Sequence, residues 1–135
     1  MRVTLPSVTF ADPKLTALHF NEAINGRDIV ALSALMTEGH RFIDSAGQQR
    51  LGIQAVRAAW EGFFAAFPDY KNVVETVTER QEGEVVLIGR SICSVPMLAG
   101  PALWRARIDQ GLVAEWQVYE DDERSRRLLL EGAGA

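Results

Sequence analysis

Pro68 divides this chain into two halves with different hydrophobic periods. Before it, apolar residues recur every three to four positions; after it, they alternate. Three helical patterns and one short strand therefore precede an unbroken run of strands joined by tight turns. That segregation predicts an α+β domain, with helices against one face of a curved, mostly antiparallel sheet.

The helix signals are local and specific. In "ADPKLTALHFNEAING", Asp12 can cap, Pro13 fits the first turn, and Gly26 can close the helix in a left-handed conformation. In "RDIVALSALMTEG", Asp28 caps, Ile29, Leu32, Leu35 and Met36 form the stripe, and Gly39 ends it. A third helix, "IQAVRAAWEGFFAAFPDY", carries Ile53, Val56, Trp60, Phe63, Phe64 and Phe67 on a broad apolar face, and Pro68 stops it. Between the second and third helices, "GHRFIDSAG" reads as a strand with His40, Phe42 and Asp44 on one face, followed by a polar turn, "SAGQQRLG".

Beyond Pro68, residues 71–81, 84–95, 102–109 and 112–120 read as four strands. The last two should form a hairpin in which Gly111 supplies a positive φ. The tail, 123–135, begins as a short charged helix and is expected to fray. At 135 residues the chain fits one domain, residues 1–135, with its core over about 12–122.

Charge and cysteine usage narrow the function classes. A net charge of -4 argues against nucleic acid as the main partner, because phosphate binding needs clustered cations. One cysteine, Cys93, cannot form an internal disulfide, and with two histidines it makes a poor zinc set, so no metal is expected. Cys93 is expected to be a small buried hydrophobe. The first residues, "MRVTLPSVTF", lack the apolar core of a signal peptide, and no segment approaches membrane-spanning length. The expectation is a cytoplasmic protein with no membrane partner.

Alternation assigns faces to the strands. Trp104, Ala106 and Ile108 should face the helices, with Leu103, Arg105, Arg107 and Asp109 outside; Ala114, Trp116, Val118 and Glu120 should likewise point inward, opposite Val113, Glu115, Gln117 and Tyr119. For residues 84–95 either set, Leu87, Gly89, Ser91 and Cys93 or Val86, Ile88, Arg90 and Ile92, can face in. Trp60, Trp104 and Trp116 each satisfy a core reading singly. Taken with inward Asp44 and Glu120 they imply an apolar pocket with polar tips, since a buried indole N–H needs a partner.

The stretches "AINGRDIVALSALMTEGHRFIDSAG", "GIQAVRAAWEGFFAAFPD" and "GLVAEWQVYEDD" resemble the SnoaL-like polyketide cyclase family of the nuclear transport factor 2-like superfamily. Relatives there include ketosteroid isomerase and limonene epoxide hydrolase. The resemblance implies a conical α+β barrel, its strongly bent sheet wrapped around helices to leave an apolar pocket. It also implies a homodimer paired through the outer face of the sheet. The implied ligand is a small hydrophobic molecule, the implied pocket wall Phe20, Phe42, Trp60, Phe64, Trp104, Trp116 and Val118, and no cofactor is needed.

Asp44 matches the aspartate that ketosteroid isomerase uses as a general base. The isomerase's hydroxyl donors fall instead at Phe20 and near Trp104, and losing one oxyanion contact costs about 3 kcal/mol. The Asp–Arg–Asp set of limonene epoxide hydrolase is incomplete, with Val118 at one aspartate position and Arg90 available only if its strand face turns inward. A SnoaL-like cyclase closes a ring by aldol addition and needs one acid or base; Asp44 or Glu120 could serve, with His40 donating to the carbonyl. The implied activity is cyclase- or isomerase-type proton transfer on a hydrophobic carbonyl compound. The alternatives are a non-catalytic binding or accessory domain, and an epoxide hydrolase- or dehydratase-like activity.

Overall fold

Asp12 caps α1 (Pro13–Asn25) as expected, its carboxylate accepting from the Lys14 N–H at 2.9 Å. The computed structural model describes residues 10–131, so residues 1–9 and 132–135 of the expected domain lie outside the described residues. Gly26 does not close α1 in a left-handed conformation: its φ is -81°, and the left-handed residue is Arg27 at φ 53°. The Arg27 guanidinium donates to the carbonyls of Asn25 (2.9 Å) and Tyr70 (2.7 Å), contacts that hold a non-glycine residue in that sparse region.

Asp28 caps α2 (Ile29–Ala34), accepting from the Ala31 N–H at 3.0 Å. This helix is shorter than its apolar stripe predicts. The Leu35 carbonyl accepts from the Val113 N–H at 2.6 Å, and Met36 already begins β1 (Met36–Ile43) with its side chain in the core. Gly39 therefore sits inside a strand, not at a helix end. Part of the expected polar turn is also a strand, β2 (Gln49–Leu51), which pairs antiparallel with β1.

The third helix, α3 (Ile53–Ala66), leads through Pro68 into β3 (Lys71–Gln81), β4 (Glu84–Ile92), β5 (Gly100–Asp109) and β6 (Leu112–Glu120). The six strands form one curled, unclosed sheet in the order β2-β1-β6-β5-β4-β3. Only β1 and β6 run parallel; the others are antiparallel neighbours in sequence. The β5–β6 turn places Gln110 at φ 50° and Gly111 at φ 80°, the two left-handed residues a tight hairpin requires.

Helix α1 crosses the concave face and touches β3, β4, β5 and β6. It buries Ala17, Phe20 and Ile24 against Val85, Leu87, Trp104, Ala106 and Trp116. The face of β4 is thereby decided: Val85, Leu87 and Ser91 point inward, and Arg90 is exposed on the outer side. In β6, Val113 is core and not outer. A register shift after Arg107 makes Ala114 the extra residue and changes the phase of the strand.

The tail does not fray at its start. After α4 (Glu123–Arg126) a wider turn, Arg127–Glu131, lays Leu129 against Val86 and Leu103 on the outer face, where it is 1% exposed. Arg80 donates to the Leu128 carbonyl. The same face carries a ladder of charges across five strands: Arg80, Glu84, Arg105, Glu115 and Arg41. Burial pushes the Glu84 carboxyl up, but the guanidinium groups of Arg80 and Arg105 outweigh it and hold it below the ordinary range. Cys93 is half-exposed, its thiol donating to Asp69 at 3.5 Å, and so is not a buried hydrophobe. No helix among the described residues is long and apolar enough to cross a membrane.

Of the described glycines, Gly89 has the least room for a side chain. A Cβ there would lie 1.9 Å from the Val73 carbonyl oxygen, beside the bulge between Val74 and Thr76. Gly89→Ala should lower the free energy of unfolding by about 3 kcal/mol or more, read from urea denaturation. An unchanged midpoint would mean that β3 yields at Val73.

Candidate active site

Between the concave sheet, α3 and the segment 97–101 that leads into β5 lies a cavity of about 350 Å³. That is the lower part of the range for small-molecule sites. Part of its wall is aromatic, with Phe42, Trp60, Phe63, Trp104 and Trp116 joined by Val118. Trp60 meets Phe42 and Phe63 edge-on, with ring centroids 5.4 and 5.7 Å apart. Edge-on contacts of this kind fix the ring planes. The indole N–H groups of Trp60 and Trp116 have no partner among the described residues.

Asp44 follows the last residue of β1. The register pairs Phe42 with Trp116 and Ile43 with Gln117, so the next step brings Asp44 alongside Val118. Its Oδ1 accepts from the N–H groups of Ala46 and Gln48, both at 2.9 Å. Turn former and cavity carboxylate are thus one residue. Oδ1 is committed to the turn, while Oδ2 has no hydrogen-bond partner among the described residues. Glu120, exposed at the end of β6, and Arg50, exposed on β2, border the same cavity.

Phe42, Asp44, Trp60, Trp104, Trp116, Val118 and Glu120 line the cavity together; Phe20, His40 and Phe64 do not. Phe20 is fully buried behind Trp116, with ring centroids 4.8 Å apart. Phe64 packs against the Trp60 ring at 5.5 Å. His40, expected to donate to a substrate carbonyl, is fully buried beside Phe20, with centroids 5.6 Å apart. Its Nδ1 lies 2.6 Å from the Val113 carbonyl oxygen, which can only accept, so Nδ1 carries the proton. Burial is the main influence on the ring and holds its pKa below the ordinary 6.5, keeping it neutral. Arg90 points away, so no Asp–Arg–Asp set assembles around Val118.

A second polar group on the wall escaped the sequence reading. The Tyr70 hydroxyl is 3.1 Å from Ser91 Oγ, which donates to Asn72 Oδ1 at 2.8 Å. All three residues line the cavity. Burial pushes the Tyr70 phenol above its usual range, outweighing the hydrogen bond with Ser91, which lowers it. The signal was the i, i+2 spacing of Tyr70 and Asn72 in extended chain. It stayed hidden because the face of β4, and hence Ser91, was open.

Comparison with known proteins places this geometry. A family model described as SnoaL-like domain matches residues 17–122. No curated protein matches the chain in sequence. Among solved structures, a nuclear transport factor 2-like protein from Cytophaga hutchinsonii is 21% identical over 91% of this chain and 98% of its own, with a TM-score of 0.68. A candidate SnoaL-like polyketide cyclase from Shewanella denitrificans is 17% identical over 86% of this chain and 96% of its own, with a TM-score of 0.71. A protein of ketosteroid isomerase-like fold from Catenulispora acidiphila, solved with trimethylamine, is 14% identical over 78% of this chain and 84% of its own, with a TM-score of 0.66. At these identities the likeness is one of fold.

His40 makes stability depend on pH with a defined sign. Its folded-state pKa lies below 6.5, so as pH falls through 6.5 the unfolded chain takes up a proton that the folded chain refuses. Stability should be level above about pH 7 and decline as the pH drops below the unfolded value. Urea unfolding between pH 5 and 8 should show this decline in wild type and a flatter profile in His40→Gln. Parallel profiles would remove His40 as its source.

Proposed function

The chain belongs to the SnoaL-like family, and on that premise we propose that it is a cofactor-independent enzyme moving a proton on a hydrophobic carbonyl compound, in a cyclisation or isomerisation. One observation carries this reading: the carboxylate of Asp44 borders an aromatic-walled cavity with one oxygen unengaged. In the step envisaged, that oxygen takes a proton α to the carbonyl. The C–H bond breaks and its electron pair moves onto the carbonyl oxygen as an enolate. The enolate carbon then either recovers the proton at another position or attacks a second carbonyl of the same molecule. In the second case a C–C bond forms, and Asp44 returns its proton to the new alkoxide.

The aromatic wall supports this chemistry by holding a flat ring and excluding water around the developing charge. Phe20 and Trp104 offer no hydroxyl where a steroid isomerase has one, which favours substrates whose C–H is already acidic, such as 1,3-dicarbonyl compounds. Pairing of two copies through the outer sheet face belongs to the same proposal. Sedimentation of the full chain should then return a dimer mass.

The chemistry can be tested with a simple ring ketone. In D2O, the protein should accelerate exchange of the C1 protons of 2-tetralone, followed by NMR. Asp44→Asn should reduce the catalysed rate by on the order of a hundredfold or more, the usual contribution of a general base. Exchange that survives the substitution would eliminate Asp44 as the base and leave a binding domain of the same fold.

A further inference from the structure

Tyr70, Ser91 and Asn72 form a hydroxyl–hydroxyl–amide chain along one cavity wall, and its backbone is held from behind. The Asn72 N–H donates to Asn25 Oδ1 at 2.8 Å, and its carbonyl accepts from Asn25 Nδ2 (2.8 Å) and Asn21 Nδ2 (3.3 Å). Arg27 secures the Tyr70 carbonyl. Both ends of the chain are therefore preorganised by side chains at the end of α1. The Tyr70 ring is fixed too, edge-on to Phe63 with centroids 4.8 Å apart.

Proton counting shows what such a wall can bind. Ser91 has one hydroxyl proton, so the chain has a direction. With Asn72 Oδ1 toward Ser91, the proton of Ser91 goes to Asn72, Tyr70 donates to Ser91, and the phenol oxygen is left to accept from a ligand hydroxyl. With the amide turned over, Asn72 donates to Ser91, Ser91 to Tyr70, and the phenol proton is left for a ligand carbonyl. The two polarities match the enol and keto forms of one oxygen. Among the described residues no lysine or arginine lies on this wall, Arg50 bordering the cavity from β2, so the chain suits a neutral oxygen and not a carboxylate or phosphate.

We propose that the Tyr70–Ser91–Asn72 chain anchors the carbonyl or enol oxygen of a neutral ring ligand, and so makes Tyr70 the residue that selects ketones over hydrocarbons of the same shape. This rests on the cavity being the ligand site, and not on Asp44 being the base. It supplies, from the residue just before β3, an O–H near the cavity that Phe20 and Trp104 do not. That phenol is protonated at neutral pH, and burial pushes its pKa further up.

The test compares 2-tetralone with tetralin, the same ring system without the oxygen. Binding to the full chain is read by quenching of tryptophan emission, since Trp60, Trp104 and Trp116 all line the cavity. Wild type should prefer the ketone. Tyr70→Phe, which keeps the ring, should weaken ketone binding on the order of tenfold and leave tetralin unchanged, and Ser91→Ala should weaken it in the same selective way. Thermal melting checks that both variants fold. Equal weakening for both ligands, no weakening for either, or a wild type without the preference would overturn the anchor. If exchange survives Asp44→Asn while the ketone preference depends on Tyr70, the base fails and the anchor stands; the reverse pattern fails the anchor alone.

Discussion

The parallel seam between β1 and β6 is the constraint on which the rest of this structure depends. It joins the first strand to the last one, and it does so across an irregular register. Met36 pairs with Val113 and Arg41 with Glu115, so β1 spends five residues where β6 spends two. A mismatch of that size leaves backbone groups without ladder partners, and buried ones must be satisfied otherwise. The His40 ring supplies the missing partner for the Val113 carbonyl, and the His40 carbonyl accepts from the Gly52 N–H at 2.8 Å to begin the return into α3. From that splice follow the pairing of Phe42 with Trp116 and the position of Asp44 at the cavity.

The same economy runs through the site. Asp44 gives one oxygen to the turn that ends β1, and that turn aims the other. Asn21 and Asn25 lie on the face of α1 that helical periodicity would fill with apolar residues; they hold the backbone of Asn72 in place. Phe20, buried behind Trp116, supports the cavity wall without touching its interior. Residues of the cavity and residues of the core differ here by one layer of packing.

That single layer explains which site residues could be read from the chain. Trp104, Trp116 and Val118 were legible because strict alternation on a half-buried strand leaves one face for the interior. Asp44 was legible from a resemblance and from its place at a strand end. His40 was misread as a site residue because alternation cannot show that its ring packs against Phe20 and does not reach the cavity. Ser91 was undecidable, since residues 84–92 carry apolar side chains on both faces, Val86 on the outer one being covered by Leu129 from the tail. With Ser91 open, Tyr70 and Asn72 had no visible partner.

The sequence by itself determined the class of fold, the order of its elements, the caps at Asp12 and Asp28, the hairpin at Gly111 and the apolar set that lines the interior. Each of these depends on interactions between residues a few positions apart, so each leaves a local mark. Only the tertiary structure decided the short α2, the strand at Gln49–Leu51, the inward face of β4, the burial of His40 and the Tyr70–Ser91–Asn72 chain. Most of those depend on partners far along the chain, such as Asn72 with Ser91, 19 residues away, and His40 with Val113, 73 residues away. No local pattern encodes such a meeting, because it is the curl of the sheet and the β1–β6 register that bring the partners together.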